Sequence, residues 1–313
     1  PPGALLLNAC WLTWGTYGDD YYPVVFARSG NLTAAKAATA RLISMIPVDH
    51  AEQPLPLTAL ERSLADLWVR TTQDMDDRVR AEFRATLVSM LESWVWETEN
   101  QIANHIPDPV DYAEMRRHTF GSHLTMYLCR LGQAGRGIPE EIYRSGTIRS
   151  LENAAADTAC LINDIFSYQK EVEVEGEVHN HVLVTRNFFD IGYEQALHIC
   201  HDLMTQRTEE FEHIVATQLP LLYEDWKLDR DARAGLDAYV VELKDWLAGI
   251  LNWHRKCRRY REEDLHRPAD ALHRPADALH RPADALHRPA DGPSAAIGGS
   301  GFGMAAARIR LPA

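Results

Sequence analysis

Three polar residues, Asn163, Ser167 and Glu171, recur at every fourth position of the otherwise apolar run Cys160-Leu-Ile-Asn-Asp-Ile-Phe-Ser-Tyr-Gln-Lys-Glu171. At ~1.5 Å rise per residue, each step is ~6 Å along one face of a helix. Leu161, Ile165, Tyr168 and Val172 form an apolar stripe roughly opposite, and Ile162 and Phe166 flank the polar one. A helix apolar on both flanks is enclosed rather than laid on a surface, so the rest of the chain has to surround it. Buried amide, hydroxyl and carboxylate groups need partners. Three oxygen ligands on one stripe suit a hard cation such as Mg²⁺; a solvated helix face is the plainer alternative for the same spacing.

The 313 residues suffice for one large core or two small ones. A net charge of −13 argues against nucleic acid or an anionic membrane as the main partner and is compatible with a site that gathers Mg²⁺. The cysteines (Cys10, Cys129, Cys160, Cys200 and Cys257) form no C-x-x-C pair, which argues against a zinc site or redox dithiol and reads as reduced thiols of a cytoplasmic protein. No apolar run approaches the ~18–20 residues of a spanning helix. The start, Pro1-Pro-Gly-Ala-Leu-Leu-Leu, lacks the basic region of a signal peptide.

Strand signals are scarce, and helical periodicity dominates from Leu32 to about Leu265. Asp108-Pro109 supplies an N-cap and a first-turn proline, and Ile138-Pro139-Glu-Glu opens a helix in the same style. Thr58 precedes a helix to about Gln73, and Asp229 caps one beginning near Arg230. Gly121-Ser122 predicts a break in the stretch Tyr112–Leu131. The expected organisation is a helical domain over 1–264, a tandem Leu-His-Arg-Pro-Ala-Asp-Ala repeat over 265–291, and a Gly/Ala-rich segment over 292–313. The repeat has a coiled-coil period of seven, but proline in each copy removes a donor and clashes with the preceding turn. It therefore reads as an extended tail, with the last segment disordered.

Other clusters carry chemistry. Asp19-Asp20 follows the aromatic run Trp11–Gly18; adjacent carboxylates repel unless a cation or protons separate them, and an exposed acidic helix end is the alternative. Arg116-Arg117 suits bidentate phosphate recognition or a surface ion pair. The basic stretch Trp253–Arg261 reads equally as a phosphate clamp or as charge complementing a helix C-terminus. Aromatic side chains including Trp14, Tyr22, Trp94, Phe120 and Phe166 suit a cavity that stabilises a carbocation, although most serve as core. His179-Asn-His181 lacks further ligands at metal spacing.

Together these motifs resemble the class I terpene synthases. Asn163-Asp164-x-x-Ser167-x-x-Lys170-Glu171 is similar to that family's Asn/Ser/Glu metal motif, and Asp19-Asp20-Tyr-Tyr-Pro23 to its aspartate-rich motif, with Pro23 where many members carry a third acid. Arg117 lies 46 residues before Asn163, where the family places a diphosphate-sensing arginine. Arg259-Tyr260 resembles the terminal pair that holds diphosphate. The phrases Trp11–Phe26, Arg149–Ala155 and Gly249–His254 resemble the C-terminal domains of the geosmin-forming branch.

The resemblance implies an all-α, isoprenoid-synthase bundle of roughly ten helices around a central cavity. It implies three Mg²⁺ ions held by Asp19, Asp20, Asn163, Ser167 and Glu171, and diphosphate bound by Arg117, Lys170, Arg259 and Tyr260. Asp19, Asp20, Arg117, Arg259 and Tyr260 are then the catalytic set, and Phe120, Gly121 and Phe166 line the cavity. In the family the domain starts well before the aspartate motif, so the resemblance implies missing first helices. The leading reading is conversion of germacradienol to geosmin with loss of acetone, by a proton donor such as His254 or a metal-bound water. The rivals are a cyclase acting on farnesyl diphosphate and a non-catalytic helical partner of a second synthase domain; a chain-elongating prenyltransferase would need a second aspartate-rich motif.

Overall fold

The computed structural model describes residues 2–49, 52–133 and 137–265, which fall in one compact unit spanning Pro1–His266. The tandem repeat and the Gly/Ala-rich segment lie outside the described residues. Every regular element described is helical: α1 (Pro2–Tyr22), α2 (Leu32–Ser44), α3 (Ala59–Thr72), α4 (Asp77–Ala103), α5 (Pro109–Thr119), α6 (Ser122–Gly132), α7 (Glu140–Tyr143), α8 (Gly146–Tyr168), α9 (His181–Phe189), α10 (Tyr193–His213), α11 (Leu219–Asp225), α12 (Arg230–Lys256) and α13 (Glu262–Leu265). The excess over the expected ten consists of α7, α11 and α13, with 4, 7 and 4 residues.

Local chemistry accounts for most helix starts. Asn31, Thr58, Asp76, Asp108, Ser145, Asn180 and Asp229 each accept a first-turn backbone N–H. Pro139 has no such side chain, and the helix it opens lasts only one turn. Gly121 takes the left-handed conformation (φ 74°) between α5 and α6, at the expected break. Three π-helical turns widen the ladder. One begins at Pro23, directly after α1, and one spans Gln169–Val174, directly after α8, so Glu171 sits in a π-turn rather than on a straight continuation of the Asn163–Ser167 stripe.

Helix α1 lies upstream of the Leu32 start expected from periodicity. Its core face is Trp11, Trp14, Gly18 and Tyr22, a helical spacing hidden within an aromatic run. This face joins Phe83, Leu87, Leu91 and Trp94 of α4 in one apolar cluster with α2 and α3. A second cluster packs α8 between α10, α11 and α12, where Ala154, Ala155, Ala156 and Ala159 allow close approach. The ends of α1, α8 and α12, from both clusters, carry the polar residues discussed below.

Gly18 fixes the approach of α1 to α4: a Cβ there would lie 2.4 Å from the Trp94 ring, whereas one at Gly15 would meet nothing within 4 Å. Gly18→Ala is expected to destabilise the domain by about 1–3 kcal/mol through overpacking. Gly15→Ala is expected to be neutral or to stabilise it by up to about 1 kcal/mol. Urea midpoints of the two variants, at matched slopes, check this opposite pair of effects.

Candidate active site

The cluster is centred on Asp164, which is fully buried in α8. Its Oδ1 accepts from Arg116 Nε and Nη2 at 3.0 and 2.8 Å, and its Oδ2 accepts from the Tyr112 hydroxyl at 2.9 Å and the His181 backbone N–H at 2.7 Å. His181 Nδ1 is 2.7 Å from the same oxygen. Burial alone would raise this carboxyl, but Arg116 and His181 outweigh it and hold it far below the usual carboxylate range. One side chain thereby joins α5, α8 and the start of α9.

Arg116 continues the network by donating to Asn163 Oδ1 at 2.6 Å. The Asn163 amide nitrogen donates to the Tyr260 hydroxyl at 3.2 Å and meets His254 Nε2 at 2.9 Å. His254 Nδ1 donates to the Ile250 carbonyl at 2.8 Å, which leaves Nε2 as the acceptor. Burial pushes His254 down to about 4. Near neutral pH the ring is therefore uncharged.

Ser167 donates to Glu171 Oε2 at 2.6 Å, and Asn180 reaches the same oxygen at 3.3 Å. The end of α1 meets the segment after α12 on the other side: Arg259 donates through two nitrogens to Asp20, at 2.6 and 2.5 Å, and Lys170 lies 3.5 Å from Asp20 and 2.6 Å from Glu175. Arg259 and the Lys170 contact depress the Asp20 carboxyl against the effect of burial. The Tyr260 ring stacks on His254 at 5.2 Å. Within the basic stretch Arg259 turns to Asp20 and Tyr260 to Asn163, while Arg258 pairs with Asp264.

The structure brings Arg116, not Arg117, to this cluster. Arg117 turns away and forms a bidentate pair with Asp157 at 2.6 and 2.9 Å, which Arg207 shares. Successive helical residues point ~100° apart, so the two adjacent arginines face different partners. Phe120 packs against the apolar cluster around α8 with the Arg116 guanidinium 5.4 Å from its ring, Gly121 makes the α5–α6 break, and Phe166 lies 5.5 Å from the His254 ring. None of the three lines the cavity described next.

That cavity opens between α1, α4 and the segment after α8. Its walls include Asp19, Trp94, Glu97, Arg116, Glu171, Glu177 and His179, around a space of about 20 Å³. Sequence reasoning did not single out Glu97, Glu177 or Asp164, and it set His179 aside. Burial, followed by the neighbouring Asp19, raises Glu97 to about 8. Burial and the neighbouring Glu171 raise Glu177 well above the usual carboxylate range, and Asp19 and Glu171 are also raised by burial. Carboxyls gathered in a partly buried space hold protons or a cation.

Asn163, Ser167 and Glu171 present only oxygen donors with one formal charge, a set that suits a hard divalent cation. Among the described residues no three carboxylate, imidazole or thiol groups converge as a metal cage, so the amide and hydroxyl oxygens would have to take part. Asn163 Oδ1 already accepts from Arg116, and a cation there replaces an existing charge–dipole bond.

The family described as terpene synthase family 2, C-terminal metal binding, matches residues 10–210. The chain belongs to this family. Pristinol synthase of Streptomyces pristinaespiralis is 28% identical over 227 residues, covering 72% of this chain and 60% of that protein. Pentalenene synthase of Streptomyces exfoliatus is 30% identical over 217 residues, covering 67% and 63%. The chain therefore spans less than two thirds of these relatives' length. The crystal structure of germacradien-4-ol synthase from Streptomyces citricolor shares the fold, with a TM-score of 0.71 at 23% identity over 82% of this chain and 80% of that one. The expected class I terpene synthase bundle is the observed fold.

Replacing Asp164 by Asn leaves the Arg116 guanidinium buried with a weakened partner, and a loss of about 3–5 kcal/mol is expected at pH 7. The depressed carboxyl stabilises the fold above its unfolded value, ~4, and this contribution fades as pH falls below it. Denaturant titrations from neutral to acid pH should show the wild type converging on Asp164→Asn in acid.

Proposed function

We propose that this chain is the metal-binding catalytic domain of a Mg²⁺-dependent sesquiterpene synthase that converts germacradienol to geosmin with release of acetone. The supporting observation is the convergence on one end of the bundle of groups far apart in sequence: Asp20 meets Arg259 across 239 positions, beside Lys170, and Asn163 meets Tyr260 across 97. The phrases Trp11–Phe26, Arg149–Ala155 and Gly249–His254 support the geosmin-forming branch.

In this reading Asp19, Asp20, Asn163, Ser167 and Glu171 hold Mg²⁺, which supplies Lewis-acid stabilisation of developing negative charge. Lys170, Arg259 and Tyr260 bind an anionic group, and Arg116 takes the role expected of Arg117. Release of Arg259 from Asp20 frees both a cation for the anion and a carboxylate for the metal. Trp94 and Tyr22 close the apolar side and exclude bulk water. The proton donor for germacradienol is then a carboxylic acid of the cavity wall such as Glu97, which burial keeps protonated near neutral pH. The rival reading, cyclisation of farnesyl diphosphate by the same residues, is favoured by the cationic set Arg116, Lys170 and Arg259, which suits a diphosphate. Free thiols at all five cysteines and the acidic sequence support a cytoplasmic setting. No helix among the described residues is long and apolar enough to cross a membrane. A second synthase domain remains the proposed partner.

Purified full-length chain is incubated with Mg²⁺ and germacradienol, and separately with farnesyl diphosphate, with products read by gas chromatography–mass spectrometry. Geosmin from germacradienol, reduced at least about a hundredfold in Glu171→Gln, is the expected outcome. A cyclised product from farnesyl diphosphate instead establishes the rival, and no product from either in a folded sample rejects both.

Raised carboxyls also fix the sign of the metal's pH dependence. Protons held by Glu97 up to about pH 8, and by its neighbours whose carboxyls burial also raises, compete with a cation. Because the folded state binds those protons more tightly, it loses stability as pH rises from about 4 toward about 8. Added Mg²⁺ is expected to raise the melting temperature more at pH ~8.5 than at pH ~6, as read by thermal-shift titration.

A further inference from the structure

Gln101, in the last turn of α4, lines the cavity together with Glu177 and His179 of the segment that joins the π-turn after α8 to α9. Its amide makes two hydrogen bonds to that segment, 75 and 77 positions further along the chain. Nε2 donates to the Gly176 carbonyl at 2.8 Å, and Oε1 accepts from the Val178 N–H at 2.9 Å. The two bonds fall on either side of Glu177. Backbone held at both neighbouring positions has little freedom to turn, so an amide from another helix sets the direction of the Glu177 side chain. Only one orientation of that amide serves, because one partner is an acceptor and the other a donor.

The two ends of the segment are anchored elsewhere. The Glu175 and Glu177 N–H groups donate to the Lys170 and Glu171 carbonyls at 2.9 and 2.7 Å, and Asn180 donates to the Asp164 carbonyl at 2.8 Å. Among the described residues, the hydrogen bonds that join the middle of the segment to α4 are the two made by Gln101. Gly176 takes the left-handed conformation (φ 72°), and a Cβ there would meet nothing within 4 Å. The glycine therefore serves the direction of the backbone and not a close approach. What that direction achieves is the placement of Glu177, which lines the cavity with Asp19 and Glu171 and feels the charges of both, as well as that of Lys170.

We infer that Gln101 is a positioning residue for the metal end of the site: it aims Glu177 at the space beside Asp19 and Glu171, and its effect on the cation passes through that carboxylate. The inference rests on the reading under Proposed function, which assigns Asp19 and Glu171 to Mg²⁺. A third carboxylate held beside those two strengthens the pull of the wall on a divalent cation, and a supporting hydrogen bond keeps it there. Gln101 itself meets neither cation nor substrate; it holds the backbone on which Glu177 stands. A neutral amide suits the task. A carboxylate at the same position could not donate to the Gly176 carbonyl, and it would add a like charge to an already acidic wall.

The test is a double-mutant cycle on Mg²⁺ binding to the full-length chain, read from the rise of melting temperature with Mg²⁺ alone. Gln101→Leu and Glu177→Gln are each expected to raise the Mg²⁺ concentration at half-effect about tenfold. The double variant is expected to match the single ones within about twofold, because Gln101 has nothing to aim once the carboxylate is gone. A residue that only supports the fold would add its effect instead. Hydrogen exchange supplies a second readout: the peptide over residues 175–179 is expected to exchange at least about tenfold faster in Gln101→Leu, and at the wild-type rate in Glu177→Gln. Additive effects in the double variant, an unchanged Mg²⁺ midpoint in either single variant, or unchanged exchange in Gln101→Leu overturns the inference. If Gln101→Leu does not fold, Gln101→Met, equally unable to make the two bonds, takes its place in the cycle. Failure of the functional reading looks different: wild type then forms no geosmin from germacradienol, while the Mg²⁺ cycle keeps its outcome. A wild type whose melting temperature ignores Mg²⁺ rejects both.

Discussion

The buried Arg116–Asp164 pair is the interaction on which the site depends. Two opposite charges out of water are tolerable only when their remaining hydrogen-bonding capacity is met. Tyr112, His181 and Asn163 meet it here. Satisfying Asp164 therefore aligns three helices, and satisfying Arg116 orients the amide of Asn163. That amide in turn holds His254 and Tyr260 from the far end of the chain. Asn163 has one carbonyl and one amino group, so its bond to Arg116 decides which end faces α12.

Charge is distributed unequally around this pair. On the side toward α12, Arg259 and Lys170 both turn to Asp20, and Lys170 also pairs with Glu175. On the side toward α4, Asp19, Glu97 and Glu171 share the influence of Arg116, which is already committed, and Glu177 is raised by burial and by Glu171. The first arrangement suits an anionic group and the second a cation or protons. Their adjacency at one end of an apolar bundle is the chemical character of the domain.

Much of this was legible in the chain. The caps at Thr58, Asp108 and Asp229 follow from short side chains that bond the first turn, and the break at Gly121 from a residue free of Cβ. The Asn163/Ser167/Glu171 spacing marked a buried polar helix before any neighbour was known. Other features were not legible. Arg117 and Arg116 are adjacent and chemically identical, and only the packing of α5 against α8 decides which faces Asp164 and which faces Asp157. Glu97 looks like any surface acid of a long helix. Its environment comes from Asp19 and Arg116, which lie on other helices and are remote in sequence. His179 lacked metal spacing and was set aside for that reason, yet packing places it in the cavity wall, which no spacing reveals.

The sequence by itself determined the helical class, most helix boundaries, the oxygen-donor stripe on α8 and the clusters at Asp19-Asp20 and Arg259-Tyr260. These are consequences of local periodicity, capping and side-chain chemistry, which act within a few residues. The tertiary structure alone decided which arginine enters the site, which carboxyls are lifted toward neutrality, that His254 stays uncharged, and where a water-sized space lies. Each of those depends on burial and on charges brought close by packing. In a medium of low polarity such interactions are set by distance in space, and separation along the chain carries no information about them.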